Sequence, residues 1–137
     1  GGKESDPRMN MSLREKDINR LARRNQRFYS KEKAFHKVMQ ADVVKLASVY
    51  GLKGQKDYEA KSGVIDVVWL NGSGELVLAV EIDNCIESCP KNKFSSLPGK
   101  VDRLWICFTA DKADLSQYEK IINGSVLKYE FELQLKR

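Results

Sequence analysis

Two runs of apolar, largely β-branched residues, Val64–Leu70 and Leu76–Ile82, stand on either side of Asn71-Gly72-Ser73-Gly74. No other stretch of the chain limits its possible folds so tightly. The asparagine and glycines supply the positive-φ residues that a hairpin turn needs. Near-continuous apolarity on both sides of the turn predicts strands covered on both faces. Three acids interrupt the pattern: Asp66, Glu81 and Asp83. Successive side chains of a strand alternate faces, so Glu81 and Asp83 share one. Pairing Leu70 with Glu75 across a four-residue loop, or Asn71 with Gly74 across a two-residue one, puts Asp66 opposite Ala79. Asp66 is then diagonal to Glu81 on the same face, roughly 7 Å away between backbones. A three-residue loop or a bulge changes that parity. Carboxylates gathered in this way, with no cation among them, repel, and one must keep its proton. A hard divalent cation with oxygen ligands is the economical resolution.

The rest of the chain supplies an α/β frame for the hairpin. Leu13, Ile18, Leu21, Ala22 and Phe28 within residues 12–29 give a helix with a narrow buried stripe. Ser30 is a good N-cap for a second helix from Lys31 to about Tyr50, whose Ala34, Phe35, Val38, Met39, Val43, Leu46 and Ala47 keep helical spacing, and Gly51 closes it. Glu32 lies at the edge of that buried stripe. There it either reaches the same interior as the strand acids or complements the helix N-terminus. Leu52–Ala60 reads as a polar edge strand. Pro90 opens a short helix through Leu97. Arg103–Thr109 is a strand expected to lie parallel to Glu75–Asp83, because a helix intervenes. A helix from Asp114 or Ser116 to Ile122 and a strand over Val126–Leu135 complete the order α-α-β-β-β-α-β-α-β. Residues 1–11 read as a tag or a disordered start, and 12–137 as one domain.

Composition enters through what it excludes. No apolar run approaches the ~20 residues of a membrane span, and no secretory signal is visible. Three cysteines, an odd number without such a signal, point to a reducing, cytoplasmic compartment. Cys85 and Cys89 are followed by no second ligand pair, and His36 is the only histidine, which argues against a structural zinc. Cys107 reads as a small core residue. The formal charge of +5 is unevenly spread. Between Arg14 and Lys37 nine basic residues face only Glu15, Asp17 and Glu32. That run is either a phosphate-attracting surface or a solvated helix face. As a surface for nucleic acid, its contacts would come from Arg20, Arg23, Arg24, Arg27, Lys31 and Lys33, which hold the phosphate backbone without reading sequence.

The order helix, three antiparallel strands, helix, strand, with an acid on the second strand and another on the third, resembles the PD-(D/E)XK nuclease superfamily over about residues 30 to 110. Asp66 in GVIDVVW matches the family's Asp, and Glu81 in LAVEID matches its Glu. Glu32 matches an acid often carried on the family's first helix, and KNKFSSLPGKVDRLWICFT looks like its following helix and strand. The resemblance implies a restriction-endonuclease-like α/β core, here with an extra basic N-terminal helix. It implies a metal-dependent endonuclease that hydrolyses phosphodiester bonds in DNA. One or two Mg²⁺ (or Mn²⁺) ions would sit on Asp66, Glu81 and a carbonyl such as that of Ile82, with Asp83 and Glu32 as further ligands. The chain departs from the family at Asp83, which stands where the family has its lysine. Some members carry that lysine on the next helix, which makes Lys93, beside Phe94, the first candidate and Lys91 the second. Each also reads as a solvated surface lysine. Asp83 would then be a further ligand or would hold the lysine. Holliday-junction resolvases are of similar build, which brings branched or structured DNA and a homodimer into the expectation. The alternative is a catalytically inactive nuclease-like domain that binds nucleic acid or protein. A plain α/β domain whose acids only pair with lysines is disfavoured, since buried unpaired acids are costly.

Overall fold

Four strands form one mixed sheet in the order β1-β2-β3-β4: β1 Lys53–Ala60, β2 Gly63–Leu70, β3 Leu76–Asp83 and β4 Asp102–Cys107. The computed structural model describes residues 13–28, 31–83 and 90–107, apart from the side chains of Glu15, Asn19, Glu32, Lys91 and Cys107. The first three strands are antiparallel, and β4 runs parallel to β3. It does so because a helix, α3 (Lys91–Ser95), lies in the connection between them. Two helices precede the sheet, α1 (Leu13–Arg24) and α2 (Glu32–Leu46). The expected α/β class and the order through the fourth strand therefore hold. The helix and strand expected after residue 110 lie outside the described residues, as do Cys85, Cys89 and the Cys107 side chain. Among the described residues no helix is long and apolar enough to cross a membrane.

Helix ends differ from expectation for identifiable reasons. α1 stops at Arg24, short of Tyr29, because Asn25 turns inward. Its buried amide donates to the Asp42 carboxylate at 3.0 Å and lies 3.4 Å from the Met39 sulfur, tying the corner to α2. α2 starts with Lys31 at the cap position and no side-chain capping bond; Ser30 is outside the described residues. Its last turn tightens into a 3-10 turn over Ala47–Tyr50, closed by Gly51 at φ 71, as the glycine at that position predicts.

The central hairpin contains both irregularities that change parity. Asn71 N–H donates to the Glu75 carbonyl at 2.9 Å, so the loop holds three residues, Gly72, Ser73 and Gly74. The Asn71 side chain accepts the N–H groups of Ser73 and Glu75, each at 2.9 Å, and Gly74 adopts φ 80. Leu70 then pairs with Leu76 but Trp69 with Leu78, which leaves Val77 in a bulge. Loop and bulge each move the register by one residue. Their sum keeps the expected face and changes the partner. Continuing the pairing Val67↔Val80 and Val68↔Ala79 puts Asp66 opposite Glu81, not Ala79.

The sheet is covered on both sides, as its apolar strands require. On one side Ile18 and Ala22 of α1 and Phe35, Met39 and Val43 of α2 pack on Val67, Trp69, Leu78, Val80 and Ile82. On the other, Phe94 and Leu97 cover Val68, Ala79 and Trp105. Trp69 locks α2 in place: its indole N–H donates to the Val43 carbonyl at 3.0 Å, and its ring stacks on Tyr50 with centroids 5.6 Å apart. β1 passes close against α2 at Gly54, where a Cβ would stand 2.2 Å from the Val44 carbonyl oxygen. Replacing Gly54 by alanine must push strand and helix apart, so we expect a loss of about 3 kcal/mol in chemical denaturation. Gly72→Ala, which meets nothing within 4 Å, should stay within about 0.5 kcal/mol of wild type.

Candidate active site

The site begins with a gap in the β1–β2 ladder. Lys56 pairs with Val67 and Tyr58 with Ile65, but the register passes over Asp57 and Asp66 between them. Gln40 of α2 fills the gap. Gln40, only 8% exposed, donates from its side chain to the Asp66 carbonyl at 2.9 Å and to Asp57 Oδ1 at 3.0 Å. Asp57 takes φ 53, a left-handed conformation that aspartate tolerates better than most residues. Face alternation breaks here: Ile65 and Val67, two residues apart, pack into opposite layers. The interruption turns Asp66 across β3. One carboxylate oxygen accepts the Ile82 N–H at 2.8 Å, and the other lies 3.2 Å from His36 Nε2.

Beside Asp66 is Glu81, 2% exposed. The two carboxyl groups are near enough for each to act on the other's ionisation, and Lys93 Nζ of α3 donates to Glu81 Oε1 at 2.9 Å. Burial, then the neighbouring Asp66, pushes the Glu81 carboxyl up to about 8, against the pull of Lys93. Burial also opposes ionisation of Asp66. There the bonds from His36, Glu81 and the Ile82 N–H together outweigh it, and Asp66 is held below the usual aspartate value. At neutral pH the pair therefore shares one proton, carried mainly by Glu81. Asp83 accepts the Trp105 indole N–H at 2.8 Å, and burial raises its carboxyl to about 6. The bond to Asp66 raises His36 above its ordinary value, against the effect of burial.

Asp66, Glu81 and Lys93 thus come together from β2, β3 and α3, with Asp83 turned to Trp105 alongside. Glu32 and Lys91 belong to α2 and α3, but their side chains lie outside the described residues. Among the described residues no three acidic, histidine or cysteine side chains converge as a ligand cage; two carboxylates meet. The expected phosphate-contacting residues are all exposed. Several are engaged locally: Arg20 pairs with Asp17 at 2.9 Å, Arg24 with Asp42 at 3.0 Å, and Arg27 lies over the Phe28 ring at 4.5 Å. Arg23, Lys31 and Lys33 have no ion-pair partner among the described residues. His36 and Gln40 were not singled out for the site from sequence. Their signal is a polar pair four residues apart running beside the stripe Phe35, Met39, Val43, a flank of α2 that must face something polar.

No protein-family model matches the chain, and neither curated proteins nor solved structures yield a match.

The proton held by Glu81 has a measurable consequence. A carboxyl raised on folding stabilises fully below its unfolded value of 4.5 and loses that contribution as pH rises through about 8. Asp83 acts likewise between 3.8 and about 6, and His36 from 6.5 upward. Asp66, lowered, works the other way and loses its contribution only as pH falls below 3.8. Denaturation midpoints should therefore fall from pH 5 to pH 9. Glu81→Gln, which mimics the protonated acid, should flatten that slope and stand on the order of 2 kcal/mol above wild type at pH 9.

Proposed function

We propose that the chain is a metal-dependent endonuclease that hydrolyses phosphodiester bonds in DNA, with the build of a PD-(D/E)XK enzyme whose lysine comes from the helix after the third strand. The observation that carries this reading is one arrangement: Asp66 and Glu81 at facing positions of neighbouring strands, with Asp66 bound to the Ile82 N–H and Lys93 Nζ 2.9 Å from Glu81. The donor set fits a hard cation. Two carboxyl groups that need a shared proton in its absence form a site a divalent ion can take instead, and two suffice for Mg²⁺, which keeps several of its waters. Asp66 and Glu81 would hold the ion, with Asp83 close by. A metal bound there supplies a water of lowered pKa and neutralises charge at the scissile phosphate.

The chain's own residues do the rest. Asp66 is fixed before any substrate arrives, because Ile82 N–H and His36 bind its carboxylate and Gln40 binds its carbonyl. Lys93, a cation part-covered by the protein, would orient the attacking water and offset negative charge as the phosphate is attacked. Arg23, Lys31 and Lys33 are the exposed cations left to take the phosphate backbone. One observation favours the second reading, an inactive domain that only binds: the two carboxyl groups already have protein partners in Lys93, His36 and the Ile82 N–H.

Cleavage of labelled duplex, flap and four-way-junction DNA with Mg²⁺ or Mn²⁺ separates the two. Wild type should cut at least one of them. Asp66→Ala should abolish cutting, and Lys93→Ala should lower the rate about 100-fold or more while DNA affinity holds. DNA binding without cutting by any of the three, in either metal, would favour the binding module. Replacing Arg23 and Lys33 by alanine should weaken DNA binding and make it less salt-dependent, by roughly one unit of log–log slope per lost contact.

A further inference from the structure

α3 has five residues, too few to hold a helix by its own hydrogen bonds. Side chains from two other elements hold it. Arg103 of β4 donates to the carbonyls of Phe94, Leu97 and Pro98, at 2.9 to 3.3 Å, and so closes the C-terminal end that a short helix leaves unsatisfied. The other hold is the β1–β2 turn. Ser62 Oγ donates to the carbonyl of Lys93 itself at 2.8 Å and lies 2.8 Å from the Ser96 hydroxyl. The next residue, Gly63, adopts φ 141, where other residues are strained. A Cβ at Gly63 would be 3.4 Å from Lys93 Cε and 4.0 Å from its Cγ and Cδ. The lysine stem therefore lies along the bare glycine backbone while its ammonium reaches Glu81.

We propose that Ser62 is a positioning residue for Lys93: the two-residue turn that joins β1 to β2 sets where the ammonium sits. The inference rests on the nuclease reading for its effect on rate, but not for its effect on the lysine. The arrangement has a clear logic. β2 starts at Gly63 and carries Asp66 three residues later, so one hairpin locates both the carboxylate and the cation and fixes the distance between them. Lys93 is 31 residues away in sequence and has only a one-turn helix of its own to stand on. Ser62 is exposed and Arg103 remains, so removing the hydroxyl leaves the fold standing and frees only the lysine.

The test compares Ser62→Ala and Ser62→Thr with wild type in two measurements. The first is kcat and KM on the DNA substrate that wild type cleaves with Mg²⁺. The second is the rate of reductive methylation of the Lys93 amine, followed by mass spectrometry against the other lysines. With Ser62→Ala, kcat should fall roughly 10-fold with KM within about twofold. Lys93 should be methylated roughly 5-fold faster, with the other lysines and the melting temperature (within about 2 °C) unchanged. Ser62→Thr should restore both. A Ser62→Ala protein whose Lys93 methylates at the wild-type rate overturns the inference, whatever its kcat. If wild type cleaves nothing, it is the nuclease reading that falls. The methylation rates then still decide the role of Ser62, an accelerated Lys93 supporting it and an unchanged one removing it.

Discussion

Two carboxyl groups can stand side by side inside a protein only while one of them is protonated or a cation takes the proton's place. Asp66 and Glu81 are in this position, and much of the neighbouring structure serves to keep them there. The cost of holding acids out of water is offset by a short list of donors: the Ile82 N–H, His36 and Lys93. Remove the proton and the pair repels; remove a donor and a buried oxygen is left without a partner. A proton or a positive charge between such oxygens relieves the repulsion, and the function proposed above puts a divalent ion there.

The pair is created by departures from regular β structure. A flawless ladder would put Ile65 and Val67 on one face of the sheet and Asp66 on the other. Gln40 prevents that by inserting between β1 and β2, and Asp57 takes a left-handed conformation to accept its amide. On the other side of β2, the bulge at Val77 adds to the three-residue loop so that Asp66 comes level with Glu81. The interruption at Asp57 lies at the site itself, and the bulge acts on it from the hairpin end by setting the register. Helix α2 contributes to it beyond the buried stripe, through His36 and Gln40, and α3 contributes Lys93 although it is barely a helix.

Much of this was legible in the chain. The two runs of β-branched and apolar residues around Asn71–Gly74 give the hairpin, and the parity of Glu81 and Asp83 places them on one face. The resemblance to nucleases that carry a lysine on the following helix made Lys93 the first candidate and Lys91 the second, and the structure brings Lys93 to Glu81. The pairing of Asp66 with Ala79 was not right, because a loop length and a bulge depend on how Asn71 folds back on Ser73 and Glu75 and on which residue the twist of the sheet leaves over. The arginines of α1 looked like one basic surface in sequence. In space Arg20 and Arg24 turn to Asp17 and Asp42, the second of these on another helix.

By itself the sequence determined what is local: which residues form strands and helices, where the turns fall, and which faces carry acids, because periodicity and turn chemistry act over a few residues. The tertiary structure alone decided which acid meets which, who donates to them, and where the lysine rests. Those contacts join residues 12 to 31 positions apart, from Lys93 with Glu81 to Ser62 with Lys93. At such separations the outcome is set by packing the whole sheet between its helices, a competition among many partners that no local pattern records.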